Sequence, residues 1–316
     1  MSALTQIQQE SASMEAFSEH LAEVGWQLDY CQLDRDIAPS SMTMSATPAA
    51  AVAHFKVGSA IHHRIGSPEG MSTFGVLAGR QADTRIGARR FRPGDMLHAH
   101  SDDGLDAVIG SGFDGFVLNF ADLSLEQLAH KHDLGLPARG GSEREIAGEH
   151  YRAILNMLAD IEQLAGQAHV PQWDVLDMIE NDLPLLVLKA WSNAKPDSHI
   201  NRRSRTQACQ RAVEYIRGSG GEVRTVHQLC DVAAASYSTL ERGFREHYGL
   251  SPKQYLVRSR MAGARRALIR GDHGGLITDI AYQWGFAHMG KFAADYRAIY
   301  GELPSQTLRI PCLLYT

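Results

Sequence analysis

Between residues 45 and about 120 the apolar positions fall in short stretches, AVAHFKVGSAI, STFGVLAG, RFRPGDML, LDAVIG and DGFVLNF, each broken by Gly or Pro. Stretches of this length and residue type predict strands, and their number predicts a small β-barrel or sandwich, although the alternation is imperfect. After a Gly- and Pro-rich hinge at 135–141 the period changes. Over 142–163, Ile146, Tyr151, Ile154, Leu155, Leu158 and Ile161 recur at helical spacing. A second helix is predicted over 173–191 from Val175, Leu176, Ile179, Leu183, Leu186 and Leu188, with Asp182-Leu183-Pro184 as a point of local break. Two readings fit these stripes: packing surface within the chain, or a dimer interface.

Residues 192–207, SNAKPDSHINRRSRTQ, are polar, with one Pro and four positive side chains, and read as a mobile joint able to touch phosphate. Beyond them the helical pattern occurs twice. In the first unit Val226, Leu229, Cys230 and Ala233 form the inner face of a scaffold helix, a turn follows near Ala234 and Ala235, and Ser236 caps a helix anchored by Leu240 and Phe244. Ser251-Pro252 opens a long connecting helix that stops at Gly271. Its inward positions are Tyr255, Leu256, Met261 and Leu268, and Arg258, Arg260, Arg265, Arg266 and Arg270 are available outward. In the second unit Thr278, Ile280, Ala281 and Trp284 build the support, Gly285 turns, Phe286 plugs the core, and a helix anchored by Phe292 and Tyr296 begins near His288.

Charge divides at the same place as pattern. Residues 1–199 hold 14 Lys and Arg against 27 Asp and Glu, whereas residues 200–316 hold 17 against 9, within an overall net charge of −5. A basic third on an acidic remainder points to a polyanionic partner for the basic part. A helix anchored by Leu and Phe that presents Ser, Glu and Arg has the build of one that enters the major groove of double-stranded DNA.

Ser236, Leu240, Arg242, Phe244, Gly249, Ser251, Pro252, Tyr255, Arg260, Ala264, Arg265 and Leu268 form a pattern that resembles the DNA-binding domain of the AraC/XylS transcription regulators. The later pattern DIAxxxGFxHxGxFAxxYRxxYGExPSxTLR, from 279 to 309, resembles it too. The likeness covers about a third of the chain, and its two correctly spaced halves make it specific. It implies promoter binding with both reading helices in adjacent major grooves, usually for activation, and an N-terminal part that senses an effector or dimerises. One departure is Ala234, where the first turn often has Gly. A weaker likeness, in GWQLDYCQL and YQWGFAHMGKFAADYR, is to the subgroup that includes the ethanolamine-operon regulator, and it transfers no effector specificity.

The resulting organisation is α+β: an effector-sensing or dimerisation domain over 1–191, a linker over 192–205, an all-α double helix-turn-helix domain over 206–309, and a tail over 310–316. Candidate DNA contacts are Ser238, Glu241, Arg242 and Arg245 on the first reading helix and His288, Met289 and Lys291 on the second. Arg242 suits a guanine edge or a phosphate; Glu241 suits a cytosine amino group or the orientation of an arginine; His288 suits a phosphate or its own helix cap. The small, apolar face of Met289, Gly290 and Ala294 suits shape or backbone readout more than bidentate base contacts.

In the N-terminal part His98-x-His100, with Asp102 and Asp103 and preceded by Arg92-Pro93-Gly94-Asp95, invites comparison with a cupin-like metal enzyme, His62-His63 being a further ligand source. No Glu follows at the needed distance and no distal His is evident, so the segment reads as a surface loop after a strand, and no metal or cofactor is expected. Trp26, Tyr30, Arg64 and Phe74 are candidate lining residues of a small-molecule pocket. No GxSxG, P-loop or dinucleotide fingerprint occurs, which argues against an enzyme. The absence of a long apolar run, of a signal segment and of paired cysteines leads to the expectation of a cytoplasmic regulator, with promoter DNA, RNA polymerase and a second copy of the chain as partners.

Overall fold

The computed structural model describes residues 4–34, 38–66, 68–79, 83–86, 89–100, 105–138, 142–167, 172–196, 203–271 and 276–308. A curled eight-stranded antiparallel sheet dominates the N-terminal half, in the order β1 (Thr5–Ser11), β3 (Ser40–Ala46), β4 (Ala50–Val57), β11 (Phe113–Ala121), β6 (Met71–Leu77), β9 (Asp95–His100), β12 (Ser142–Glu145) and β13 (Lys195–Pro196). A smaller five-stranded sheet runs β2 (Gln27–Gln32), β5 (Ile61–Gly66), β10 (Leu105–Ile109), β7 (Arg85–Ile86) and β8 (Arg89–Arg90).

The large sheet is buried on both faces, which explains why its sequence alternates poorly. One face carries Val52, Phe74, Val76, Phe116, Leu118 and Phe120 and packs under α3 (Gly148–Ala165) and α5 (Leu183–Ser192), with Ile154, Leu158, Ile161 and Trp191 almost fully enclosed. The other face, with Met42, Met44, Ala53, Phe55 and Val57, meets Ile61 and Ile109 of the small sheet and Met14, Phe17 and Leu21 of α1 (Met14–Glu23). The apolar stripes of α3 and α5 are therefore used inside the chain. Phe74 belongs to the helical side, where its ring lies 5.9 Å from that of Trp191.

Three local departures have physical causes. Residues 142–145, expected to begin a helix, form β12 between β9 and β13, and α3 starts only at Gly148. The helix expected over 173–191 is divided into α4 (Gln172–Asp177), a π-turn at Met178–Asp182 and α5, because Pro184 in the first turn of α5 has no amide proton for the preceding ladder. Lys195 and Pro196, assigned to the linker, pair with Glu145 and Arg144 in the sheet; residues 197–202 and the tail from 309 lie outside the described residues.

The C-terminal half is helical: α6 (Arg203–Gly218), α7 (Val226–Ala233), α8 (Tyr237–Tyr248), α9 (Pro252–Arg270), α10 (Ile277–Gln283), α11 (Met289–Tyr300) and α12 (Pro304–Thr307). Helix α9 serves two cores. Its Tyr255 and Leu256 join Leu229, Ala233, Leu240 and Phe244, whereas its Met261, Ala264, Ala267 and Leu268 join Ile280, Ala281, Phe292 and Tyr296. Trp284 leans on α9 where Gly263 leaves room: a Cβ there would stand 2.1 Å from the indole ring. Among the described residues no helix is long and apolar enough to cross a membrane.

Candidate nucleic-acid interface and its link to the N-terminal domain

Both reading units are built as the residue pattern implies. Thr225 and Gln228 close a capping box on α7, which ends on Ala234 in a left-handed conformation, φ 48°. Only three residues, Ala234 to Ser236, separate α7 from α8, and the Ser236 hydroxyl accepts the Thr239 amide proton at 3.2 Å. Leu240 and Phe244 are fully enclosed, so the opposite face of α8 is turned out. Ser238, Arg242 and Arg245 are exposed on it. Glu241 is half-buried and accepts from Arg245 Nε at 2.8 Å, so in the DNA-free protein it orients an arginine. Tyr237, 57% exposed at the start of α8, is a further candidate contact that the sequence pattern did not single out.

In the second unit Gly285 takes the turn at φ 82°, His288 occupies the N-cap position of α11 without a side-chain cap bond, and its imidazole is exposed. Gly290, Lys291 and Ala294 are also exposed, and Lys291 Nζ lies 2.9 Å from Asp295. Met289 is half-buried and packs on the second core, so it turns away from the exposed face. Thr278, expected inside, is exposed.

Arg265 corrects a further expectation. It is 7% exposed rather than outward: Nε lies 2.5 Å from Glu15 Oε1, Nη1 lies 2.7 Å from Glu302 Oε1, and the guanidinium sits over Tyr300 at 4.4 Å. Arg260 is half-buried against Phe286, which leaves Arg266 and Arg270 as the exposed arginines of α9 among those five.

Residues 229–310 match the family described as a helix-turn-helix domain. The chain is 24% identical over 231 residues to the XylDLEGF operon transcriptional activator 3 of Pseudomonas putida, covering 69% of this chain and 66% of that one. It is 36% identical over 99 residues to a probable thc operon regulatory protein of Rhodococcus erythropolis, covering 31% and 30%. It is also 32% identical to a probable AraC family transcriptional regulator of Rhodopseudomonas palustris of known structure, covering 32% of this chain and 94% of that one, with a TM-score of 0.30. The chain belongs to the AraC/XylS family.

As an AraC/XylS regulator it is a sequence-specific DNA-binding protein. The chain spans about two thirds of the first of those relatives and under a third of the second. His98 and His100, compared above with a metal centre, lie on β9 and not on a surface loop, and His62 and His63 lie on β5. His98 is buried 5.7 Å from the Trp191 ring, and His100 bonds Asp122 at 2.9 Å. Asp102 and Asp103 fall outside the described residues, and among the described ones no group of three or more His, Cys, Asp or Glu is placed to hold a metal. Cys31 and Cys230 are free thiols.

The small sheet stands between a cavity and the DNA-binding domain, and its strands sort their side chains by alternation. Toward the cavity, of about 90 Å3, point Leu28, Ile61, His63, Thr84, Ile86, Ala107 and Ile109, closed by Trp26, Phe55 and Phe113. Toward the helices point the residues between them. His62 lies 2.5 Å through Nδ1 from Tyr255 Oη and 2.8 Å through Nε2 from Asp106. Arg217 of α6 reaches Asp106 at 3.2 Å and Asp29 at 3.4 Å. Arg85 donates to the carbonyls of Arg245 and Glu246, at 3.1 and 2.7 Å, in the last turn of α8. Burial pushes Asp106 up, but the His62 bond and the charges of His62 and Arg217 outweigh it and hold the carboxyl at about 2.

Of the four pocket candidates, Trp26 lines this cavity. Tyr30 bonds Glu15 at 2.9 Å, Arg64 is exposed on β5, and Phe74 faces the helical layer. Sequence reasoning missed Asp29, Arg85 and Asp106, whose only signal is polar residues alternating with apolar ones on strands.

Proposed function

We propose that the protein is a promoter-binding transcriptional activator that places α8 and α11 in successive major grooves and whose N-terminal domain answers to a small-molecule effector. The observation that carries this reading is the pair of helices with enclosed anchors, Leu240 and Phe244 or Phe292 and Tyr296, joined by one helix that serves both cores. Ser238, Glu241, Arg242 and Arg245 read or grip from α8; His288 and Lys291 do so from α11, with Met289 supporting the backbone. Activation is the role named for the Pseudomonas relative and is proposed for this chain by similarity.

The open interior favours an effector over regulation by protein level alone, and the small sheet supplies a route by which filling it reaches α6, α8 and α9. A homodimer, proposed from the N-terminal domain, has to use surfaces other than the enclosed stripes of α3 and α5. RNA polymerase is the proposed partner at the promoter, which puts the site of action in the cytoplasm.

The test is genome-wide mapping of DNA bound by the native protein against an Arg242→Ala, Lys291→Ala control. Discrete peaks upstream of genes that vanish in the control support the reading. Diffuse or control-insensitive binding overturns it.

A further inference from the structure

Almost every group on the wall of the cavity between the sheets is apolar, so the polar ones stand out. The Thr73 hydroxyl is taken up by Asn119 Oδ1 at 2.7 Å. Two groups remain. Thr84, 2% exposed, and His63 present Oγ1 and Nε2, both sealed from solvent and both without a hydrogen-bond partner. Folded interiors leave few such atoms, and each calls for an explanation. They lie on either side of β10, whose Ala107 pairs with His63 in one direction and with Ile86 in the other. A molecule in the cavity can therefore be held from β5 and from the residue that leads into β7.

The wall also says what that molecule is not. Among the described lining residues there is no Lys, Arg, Asp or Glu, so a charged guest would lose its hydration with no counter-ion from them. Burial, and then the neighbouring His62, push His63 down to about 3, so its imidazole is neutral near pH 7 and offers a hydrogen bond rather than a charge. At about 90 Å3 the space is smaller than the ~150 Å3 apolar cavity known to take benzene, so the guest is compact or displaces the wall. Wall displacement has a direct consequence, because β5 and β10 carry His62 and Asp106 on their other face.

Resting on the effector-responsive reading above, we propose that this cavity binds an uncharged, mainly apolar molecule with one hydroxyl or carbonyl oxygen, held by Thr84 Oγ1 and His63 Nε2. The hydroxyl of Thr84 donates or accepts, and the neutral imidazole does either according to its tautomer, so both match the hydrogen-bonding capacity of a hydroxyl oxygen, and the imidazole N–H or the Thr84 hydroxyl that of a carbonyl.

The test is calorimetric titration of the full chain with butan-1-ol, phenol, toluene, benzoate and benzylammonium. Butan-1-ol or phenol binds at least about tenfold more tightly than toluene or either ion. Thr84→Val and His63→Phe each lose about tenfold, while Thr84→Ser, which keeps the hydroxyl, retains wild-type affinity. Thermal melts establish that each variant is folded. Toluene binding as well as phenol in wild type and variants, a preference for benzoate, or no binding by any probe overturns the proposal. Separately, the affinity for a promoter fragment recovered by immunoprecipitation is measured with and without saturating alcohol. A change supports the coupled site. Alcohol binding with no change overturns the effector reading and leaves the ligand class standing.

Discussion

Nδ1 of His62 lies 2.5 Å from the phenolic oxygen of Tyr255, so a strand of the N-terminal domain is bonded directly to the helix that joins the two reading units. Both residues are enclosed, and the other imidazole nitrogen is held by Asp106, itself bonded to Arg217. Tyr255→Phe keeps the ring and its contacts with Phe244 and Tyr248 but leaves Nδ1 without its acceptor or donor. Leaving one buried group unsatisfied costs about 1–3 kcal/mol. The expected result is a lower denaturation midpoint and faster amide exchange in β5 and α9, measured together by hydrogen exchange, with DNA affinity of the helical half retained. Unchanged exchange in both elements would mean that the bond does not hold the domains.

Arg242 and Lys291 should differ in kind as DNA contacts. Arg242 projects from the middle of α8 into solvent, whereas Lys291 is shared with Asp295 on an exposed helix face. Arg242→Ala is expected to weaken specific binding by about 1–3 kcal/mol and to relax preference at one base position. Lys291→Ala should weaken all sequences alike and reduce the slope of log affinity against log salt by about 1. Fluorescence anisotropy on a promoter fragment and a scrambled one, at several salt concentrations, separates these outcomes.

The helical half was legible because its constraints are local. Caps at Ser236 and Ser251, a proline at 252 and enclosed anchors at 240, 244, 292 and 296 each follow from neighbours a few residues away. The N-terminal half was legible as strands but not as a site. His62, Asp29 and Asp106 look like solvent-facing residues of a half-buried sheet, and only the docking of α6 and α9 makes that face interior. Arg265 misled for the same reason: its carboxylate partners are Glu15, 250 residues away, and Glu302. Phe74 was assigned to a pocket because aromatic residues suit one, yet a strand enclosed on both faces gives no parity signal to say which face it takes.

Ala234 closes α7 at φ 48°, a conformation in which a Cβ crowds the following carbonyl. Asp133 and Ala234 are the two residues other than glycine with positive φ among those described. Ala234→Gly relieves that crowding at the point where the first unit turns, against the greater freedom glycine has when unfolded. The expected net effect is stabilisation by up to about 1 kcal/mol, with α7 and α8 unmoved. A rise in the denaturation midpoint at constant slope supports this. A fall would show that the turn is held by packing of the Ala234 methyl rather than strained by it.

His54 links three elements of the N-terminal domain and makes its stability depend on pH. Its Nε2 lies 2.6 Å from Asp114 of β11, its Nδ1 lies 2.8 Å from Glu162 of α3, and its ring stacks on Phe116 at 4.1 Å. Burial alone lowers the pKa, but the bonds to Glu162 and Asp114 and then their charges outweigh it, so the folded value is raised above the usual 6.5. A group whose folded pKa is raised contributes its full stabilisation below the unfolded value and loses it as pH rises through the folded one. The wild-type thermal midpoint is therefore expected to fall from about pH 6.5 upward. His54→Gln keeps an amide able to bond one carboxylate but cannot titrate. It should melt lower at acid pH, through the lost pair and the lost stacking, and that deficit should shrink as pH rises. The comparison is one of slopes, because the stacking loss is the same at every pH. Parallel wild-type and variant profiles would show that His54 holds its two carboxylates without a charge.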